Sequence, residues 1–366
     1  MTSDPLDCFS ESYAVARASL LQAAVAAGCP CAEYIEPGTG AQGEILAMDA
    51  VWAGPADAHG ALLLTSACHG VEGHAGSAAQ IGLLRDWRLL QSLSKLGVAV
   101  LIVHALNPHG FSHMRRCTSE NVDLNRNFID FYEPLPANET YRELHPLLVP
   151  QIWPPSSSNE QALGQVIQRQ GMRGFQEAVT RGQYEFSDGL FFGGYAPSWS
   201  HLSFRELLRT RLSAPQRVAW IDIHSGLGPT GVGERIFNGG CGFSAEVLAR
   251  DWWGAVTKTE DGSSTSAELC GTLASLVQTE LDGRLASSIA LEFGTVEPLQ
   301  VLGALRADAC AWRPGVPVAA RQQAVAEVRQ AFYVDTPVWK NAVFEQSMSA
   351  IQTALRGIAD MIRAPT

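Results

Sequence analysis

The amino-acid sequence predicts an α/β fold with a mixed, mostly parallel central sheet flanked by helices. Apolar runs of strand length recur along the chain, and helical stretches separate them. Polar residues gather where these runs end. Because open sheets of this type bind ligands beyond the carboxyl ends of their strands, we expect the chemistry near His69, Asn107, His224 and Glu292.

Each predicted strand is a short apolar run of the kind that is buried on both faces of a sheet. The predicted strands are residues 61–65, 97–105, 217–223 and 287–293. Residues 75–93 are predicted to form a helix between the first two strands. A last helix over residues 341–363 is predicted to cover the sheet.

Between residues 132 and 215 the alternating pattern weakens, because prolines and the serine run at 156–158 interrupt it. We therefore interpret residues 1–366 as a single catalytic domain with an insertion at 132–215. The insertion contains a helical stretch around residues 161–181. It also contains a glycine-aromatic patch at residues 191–195, which packing under a loop explains better than a binding role.

Composition and charge exclude several classes of function. Hydrophobic residues make up 46% of the chain and charged residues 17%, which is an ordinary globular balance. The net charge of -11 repels phosphate backbones and anionic lipid surfaces, and no basic run offsets it locally. We therefore expect neither nucleic acid nor a membrane as a partner.

The lack of an export-signal pattern and the distribution of the cysteines predict a cytoplasmic location. The chain lacks the pattern of an export signal and has no apolar run long enough to span a bilayer. Its eight cysteines are scattered, which favours free thiols in a reducing compartment. Cys29 and Cys31 form a C-x-C pair, but no second Cys or His pair with zinc-ribbon spacing accompanies it.

Two histidines stand at predicted strand ends with an acidic residue close by. His69-Gly-Val-Glu72 follows the first strand, where a tight turn can present an imidazole and a carboxylate to one metal ion. Asp222-Ile-His224 ends a later strand, and strand alternation puts Asp222 and His224 on the same face. The alternative is a buried polar network in which His224 pairs with Asp222 or Glu72.

Residues 121–128 crowd amides and a guanidinium into a short loop. A guanidinium matches a carboxylate bidentately, so Arg126 and the neighbouring amide of Asn125 indicate a carboxylate-binding site. Arg115 and Arg116 lie just upstream as a further source of positive charge. The alternative is a solvated surface loop.

Glu292 lies near the end of the strand predicted at residues 287–293, with apolar neighbours on both sides. A carboxylate partly removed from water has its pKa raised towards working pH, which suits a general base. The alternative is a buried glutamate tied to a distant arginine.

Together these motifs resemble the zinc carboxypeptidase superfamily, whose members carry His-x-x-Glu, an Arg, Asp-x-Asn-Arg, a distant His on a strand and then a Glu. The sequences of the motifs are most similar to those of an uncharacterised bacterial branch of that superfamily, with aspartoacylase and succinylglutamate desuccinylase as more distant relatives. The resemblance implies a zinc carboxypeptidase-like α/β/α sandwich. It also implies one Zn²⁺ per chain, held by His69, Glu72 and His224.

The resemblance further implies roles for the other motif residues. Asp123 matches the acid that orients the first histidine, and Arg116 matches the arginine that polarises the substrate carbonyl. Asn125 and Arg126 match the pair that grips a terminal carboxylate. Glu292 matches the catalytic base.

These roles predict a zinc-dependent hydrolase that uses activated water to cleave an amide or peptide bond next to a free carboxylate. The expected substrate is a peptide or an N-acyl amino acid. Two alternatives stay open: a deacylase or amidase acting on small N-acyl amino acids, and a non-catalytic binding module that keeps the fold. The intact metal and base positions disfavour the binding module.

Overall fold

The computed structural model describes residues 4–242 and 244–363, and these residues form a seven-stranded sheet. The strands in chain order are β1 (Cys31–Ile35), β2 (Ala47–Ala53), β3 (Gly60–Ser66), β4 (Val98–His104), β5 (Arg217–Gly226), β6 (Gly233–Phe237) and β7 (Leu285–Gly294). Their order across the sheet is β1-β2-β4-β3-β5-β7-β6. Strands β4, β3, β5 and β7 pair in parallel, whereas β1, β2 and β6 are antiparallel to their neighbours. The predicted mixed, mostly parallel sheet is therefore confirmed.

Strands β1, β2 and β6 have no counterpart in the sequence prediction, because charged residues interrupt them. Strand β1 contains Glu33, and β6 contains Glu234 and Arg235. Strand β2 is apolar except for Asp49, whose buried carboxylate accepts a hydrogen bond from Nε of Arg17 at 2.8 Å. A charge that is buried because of a distant partner looks like a surface charge in the sequence.

Helices surround the sheet, and there are twelve α-helices within the described ranges. They are α1 (Tyr13–Ala26), α2 (Gly73–Arg85), α3 (Trp87–Leu96), α4 (Pro108–Ser112), α5 (Glu139–Leu148), α6 (Ser157–Thr180), α7 (Trp199–Arg211), α8 (Ser244–Trp253), α9 (Leu273–Leu281), α10 (Pro298–Ala311), α11 (Val318–Phe332) and α12 (Pro337–Arg363). Three short 3-10 helices cover Pro5–Cys8, Gly70–Glu72 and Leu124–Arg126.

Both faces of the sheet are covered, as the alternation of side chains along buried strands requires. On one face, Leu62 and Leu64 of β3 belong to an apolar cluster that includes residues of α2, α3 and α12. On the other face, Leu63 and Trp220 belong to a second cluster with residues of α7 and α9. Strand β3 is therefore buried along its whole length. This is the α/β/α sandwich that the resemblance implies.

The helix predicted for residues 75–93 is two helices, α2 and α3, so this prediction is wrong at one position. Asp86 has a non-helical conformation (φ -85°, ψ 88°), and its side chain accepts hydrogen bonds from the amides of Arg88 and Leu89. A capping carboxylate satisfies amides that have no partner inside a helix, so it favours a new helix start. The predicted final helix is present as α12 and begins four residues earlier than expected.

Residues 132–215 contain helices α5, α6 and α7. Helix α6 covers the predicted helical stretch and is kinked at Gly171, whose φ of 72° is in the left-handed region. A third apolar cluster joins α5 and α6 to α10 and α11. That residues 132–215 are an insertion in a single domain stays a prediction. Within the part of the chain that the structure describes, no helix combines the length and the apolar character needed to cross a bilayer.

Candidate metal centre and its cavity

The loop after β3 and the end of β5 bring two histidines and a glutamate together. Strands β3 and β5 are parallel neighbours and stay in register up to Ser66 opposite Ile223, so the residues that follow meet at one edge of the sheet. His69 precedes the 3-10 helix that ends at Glu72. His224 lies one residue beyond Ile223 on β5.

These three side chains are arranged as ligands of one metal ion. Nδ1 of His69 lies 2.8 Å from Oε1 of Glu72, and Nδ1 of His224 lies 2.8 Å from Oε2 of the same carboxylate. One ligand atom from each residue lies within 4.8 Å of the others, and all three residues are buried. Two imidazole nitrogens and one carboxylate oxygen form a donor set that zinc takes in catalytic sites, where a fourth position stays open. The residues therefore fit the implied zinc ion.

The opposite nitrogen of each imidazole is held by its surroundings. Nε2 of His224 lies 2.7 Å from Oδ2 of Asp222, a carboxylate that would accept the Nε2 proton when Nδ1 binds a metal ion. Nε2 of His69 lies 3.3 Å from Oδ1 of Asp123 and 2.7 Å from Nη2 of Arg116. Both rings therefore turn Nδ1 towards Glu72.

Asp222 is itself oriented from the core of the sheet. Its Oδ1 accepts a hydrogen bond from Oγ1 of Thr65 at 2.5 Å, and Thr65 accepts one from Nε1 of Trp220 at 2.9 Å. All of these residues are buried. The orientation of His224 therefore depends on a hydrogen-bonded chain that begins in the second apolar cluster.

His69, Glu72 and His224 form a cluster of buried ionisable groups. The charges of this cluster and of the neighbouring aspartates shift one another's pKa values. Burial raises the pKa of Glu72, but the two histidines outweigh burial and hold it well below its ordinary value. Burial lowers the pKa of His224, whereas Asp222 and Glu72 together raise it well above the ordinary value. Burial also raises the pKa of Asp123, but Arg116, Arg126 and His69 together outweigh burial and keep this pKa well below its ordinary value. The carboxylates therefore stay ionised, which is the form that binds a cation.

Two arginines that are adjacent in sequence have different surroundings. Nε of Arg116 donates to Asp123 at 2.8 Å, and Nη1 lies 3.3 Å from Oε1 of Glu72, so this guanidinium lies at the cluster. Arg115 instead forms a buried ion pair with Asp308 of α10 at 3.1 Å. The structure therefore places Arg116 at the cluster and directs Arg115 away from it.

Main-chain hydrogen bonds tie the arginine segment to the turn that carries His69 and Glu72. The amide of Gly70 donates to the carbonyl of Arg116 at 3.2 Å, and the amide of Val71 donates to that of Arg115 at 2.9 Å. A Cβ at Gly70 would lie 2.0 Å from the carbonyl carbon of Gly110. This close approach of two backbones explains why glycine follows His69.

Asn125 and Arg126 line the same cavity, but the main chain already engages them. Nε and Nη2 of Arg126 donate to the carbonyl of Thr180 at 2.8 and 2.6 Å, and Nη1 donates to the carbonyl of Asn125 at 2.7 Å. Oδ1 of Asn125 accepts a hydrogen bond from the amide of Leu273 at 2.8 Å. Because a guanidinium has five N–H groups, two remain for a substrate. The predicted grip on a carboxylate stays a prediction, and it cannot use the whole guanidinium fork.

Glu292 lies opposite His224 in the register of β5 and β7. Its Oε1 accepts a hydrogen bond from the amide of Leu227 at 2.9 Å. Burial, followed by the negative charge of Glu72, raises the pKa of Glu292 from 4.5 to about 8. No ion pair joins Glu292 to an arginine in the described part of the chain. The alternative, a buried glutamate tied to a distant arginine, is therefore not observed there.

A cavity of about 450 Å³ joins these groups. The predicted site residues that line it are His69, Glu72, Arg116, Asn125, Arg126, His224 and Glu292. Phe191 also lines it, with its ring centre 5.2 Å from the guanidinium carbon of Arg116 and 5.5 Å from that of Arg126. Phe191 of the glycine-aromatic patch therefore packs against the two arginines and is also part of the cavity lining.

Comparison with known proteins places the chain in a family. Residues 9–346 match the sequence profile of the family described as protein of unknown function (DUF2817). The chain belongs to the DUF2817 family. No curated protein matches it.

Solved structures resemble this DUF2817 chain. Carboxypeptidase A from Helicoverpa armigera is 14% identical, with 98% of this chain and 76% of that chain covered and a TM-score of 0.54. Murein-tripeptide amidase from Escherichia coli O157 is 18% identical, with 78% and 93% covered and a TM-score of 0.36. An aspartoacylase family protein from Mesorhizobium loti is 17% identical, with 78% and 68% covered and a TM-score of 0.39. The first of these confirms that the DUF2817 chain has the carboxypeptidase-like fold that the motifs implied.

Sequence reasoning missed several residues that shape the site of the DUF2817 chain. Strand alternation puts Asp222 on the same face as His224, but the sequence pattern gives Asp222 no role in the metal site, although its position two residues before His224 is the signal for a supporting carboxylate. Thr65 and the amide of Leu227 carry no sequence signal, because an isolated hydroxyl or backbone group has no motif. Phe191 lies far from both arginines in sequence.

Proposed function

We propose that this protein is a hydrolase with one zinc ion per chain, and that it cleaves an amide or peptide bond next to a free carboxylate. The observation that supports this most strongly is the meeting of a His69, Glu72 and His224 donor set with Glu292 in one cavity. The likeness in fold to carboxypeptidase A from Helicoverpa armigera supports the reaction class.

His69, Glu72 and His224 would hold the metal ion through two Nδ1 atoms and one carboxylate. When bound there, zinc supplies a Lewis acid that polarises a carbonyl and lowers the pKa of water. Asp123 and Asp222 keep the two imidazoles in the binding orientation.

Glu292 would act as the general base. Oε1 is fixed by the amide of Leu227, so Oε2 is the oxygen that takes a proton from the attacking water. The water oxygen forms a bond to the carbonyl carbon, the carbon–nitrogen bond breaks, and Glu292 passes the same proton to the departing amine. No external acid is needed.

Arg116 and Arg126 would act on different parts of the substrate. Arg116, which already lies at the cluster, would donate to the carbonyl oxygen as negative charge develops on it. Arg126 would use its two remaining N–H groups, and Asn125 its side-chain amide, to hold the free carboxylate and orient the bond to be cleaved.

An assay of the purified, zinc-loaded protein tests this proposal. Peptides and N-acyl amino acids that end in a free carboxylate are compared with the same compounds ending in an amide. We expect hydrolysis of the free acids in preference to the amides, loss of activity with a chelator and recovery on adding zinc. Absence of hydrolysis of both forms, or activity that survives chelation, would contradict the proposal.

A further inference from the structure

We propose that the cavity binds an unbranched apolar acyl chain on the carbonyl side of the scissile amide, so that N-acyl amino acids with medium-length acyl groups are its substrates. This inference rests on the proposed function and names its substrate class. It is carried by one surface of the cavity, which we call the apolar wall. The apolar wall consists of Met172, Phe175, Val179, Leu299, Leu302 and Leu305.

The apolar wall is built from one stripe of each of two helices. Met172, Phe175 and Val179 follow the kink at Gly171 in α6 at positions i, i+3 and i+7, which share a helix face. The three leucines of α10 recur at every third residue and likewise share a face. Phe175, Val179 and Leu305 belong to the third apolar cluster and Leu302 packs against it, so the inner parts of the two stripes form a continuous surface.

Two members of the apolar wall are exposed where the cavity opens. Met172 is 44% exposed and Leu299 is 51% exposed, although both line the cavity. Apolar side chains that converge from two helices and stay in contact with water are typical of a surface that a ligand covers.

Contacts of the two arginine segments place the apolar wall relative to the reacting bond. Arg115 forms its ion pair with Asp308 of α10, so the segment that carries Arg116 adjoins the apolar wall. Asn125 accepts a hydrogen bond from Leu273, so the segment that carries Arg126 adjoins α9.

The cavity lining on the side of α9 is mostly polar: Thr272, which precedes the helix, and Ser275 and Gln278 line it together with Ala274. Helix α6 ends at Thr180 beside Arg126, and its apolar stripe extends away from that end towards Met172. An amino acid held by Arg126 would therefore lie on the α9 side. Its acyl group, on the other side of the scissile bond, would lie along the apolar wall.

The chemistry of the apolar wall favours an alkyl chain over a peptide. Gln176, the polar residue on this part of α6 that also lines the cavity, donates its side-chain amide to the carbonyl of Thr265 at 2.9 Å. A longer peptide would press its N–H and C=O groups against aliphatic side chains without partners, which costs free energy. An alkyl chain has no such groups.

A binding experiment with compounds that cannot be cleaved tests this inference. In 4-oxo carboxylic acids a CH₂ replaces the amide N–H of an N-acylglycine. Calorimetric titration of the zinc-loaded protein compares 4-oxopentanoate, which mimics N-acetylglycine, with 4-oxononanoate, which mimics N-hexanoylglycine. The longer compound has four more methylenes, and at roughly fourfold per buried methylene it should bind about 250-fold more tightly.

Variants of the two exposed members of the apolar wall test whether this wall causes the preference for the longer compound. The double variant Met172→Gln and Leu299→Gln should reduce the preference for the longer compound to less than about tenfold and leave binding of 4-oxopentanoate unchanged. Leu202→Gln on α7 is the matched control, because Leu202 is 54% exposed and does not line the cavity. Equal binding of both compounds by the wild type, or a preference that the double variant keeps in full, would overturn the inference.

Hydrolysis assays separate the failure of this inference from the failure of the proposed function. N-hexanoylglycine is compared with N-acetyl-alanyl-glycine, a peptide of similar length. Hydrolysis that favours the peptide would overturn the acyl subsite and leave the hydrolase standing. A chain-length preference in binding without hydrolysis of either compound would support the subsite and contradict the hydrolase.

Discussion

Replacing Glu292 with glutamine removes the proposed general base with little change in shape. The amide oxygen of glutamine can still accept the hydrogen bond that Leu227 donates to Oε1 at 2.9 Å, so we expect the fold and the zinc content to be retained. The amide cannot accept a proton from water. Turnover should therefore fall by about a hundredfold to ten-thousandfold, the usual contribution of a positioned general base.

The same substitution should stabilise the chelator-treated protein at high pH. The pKa of Glu292 is raised from 4.5 to about 8 in the folded protein, so between these values the folded state binds more protons than the unfolded chain. The free energy of unfolding therefore falls as pH rises through this window, and the full loss applies above pH 8. Each tenfold change in proton affinity is worth about 1.4 kcal/mol, which sets an upper limit of roughly 5 kcal/mol.

Glu292 is only half-buried, and water at the cavity reduces the effect of burial. We therefore expect Glu292→Gln to raise the free energy of unfolding by about 2 kcal/mol at pH 9. Near pH 4.5, where the wild-type carboxyl is protonated in the folded state, the two proteins should differ little.

Glu36, a buried glutamate outside the cavity, provides the control. Glu36 accepts a hydrogen bond from the amide of His109 at 2.9 Å, and its pKa is raised to about 7, mainly by burial. It does not line the cavity. Glu36→Gln should therefore also stabilise the protein at pH 9, but it should leave turnover unchanged.

Turnover, zinc content and urea denaturation are measured on the same preparation of each variant. Normal turnover in folded, zinc-loaded Glu292→Gln would refute its role as base. Lower stability of this variant than of the wild type at pH 9, without metal, would refute the electrostatic argument. Loss of zinc together with activity would show that Glu292 supports the metal cluster instead.

Four further substitutions have defined outcomes. His69→Ala should leave less than about a tenth of the wild-type zinc by elemental analysis, because it removes one of the three proposed ligands. Thr65→Val should weaken zinc binding about tenfold in a chelator competition, because Asp222 loses the hydroxyl that orients it. Arg126→Ala should lower the free energy of unfolding in urea by about 2 kcal/mol, since it leaves two partly buried carbonyls unpaired, and should slow hydrolysis of free acids more than of amidated substrates. Equal slowing on both would assign Arg126 to structure alone. Gly70→Ala should destabilise the protein by at least about 2 kcal/mol in urea, because its Cβ would collide with backbone, and an unchanged midpoint would contradict this.

The sequence by itself determined the parallel centre of the sheet. A strand that is buried on both faces is usually a nearly continuous apolar run. Strands β3 and β4 are such runs, and β5 and β7 each contain a shorter one, at residues 218–221 and 289–291. The metal motif was equally local, because the three-residue spacing from His69 to Glu72 lies within one turn. His224 and Glu292 could be assigned because each marks the end of one of these runs.

The tertiary structure alone decided which partner each charge has. Only one residue of spacing favours Arg116 over Arg115 in the sequence pattern, whereas in the structure Asp308, 193 residues from Arg115, pairs with Arg115 and leaves Arg116 beside Glu72 and Asp123. Most of the donors of Arg126 are likewise engaged by carbonyls, one of them 54 residues away. The apolar wall depends on two helices whose stripes face the same cavity only after folding. In each case the deciding interaction joins segments that are distant along the chain, and local patterns contain no information about such contacts.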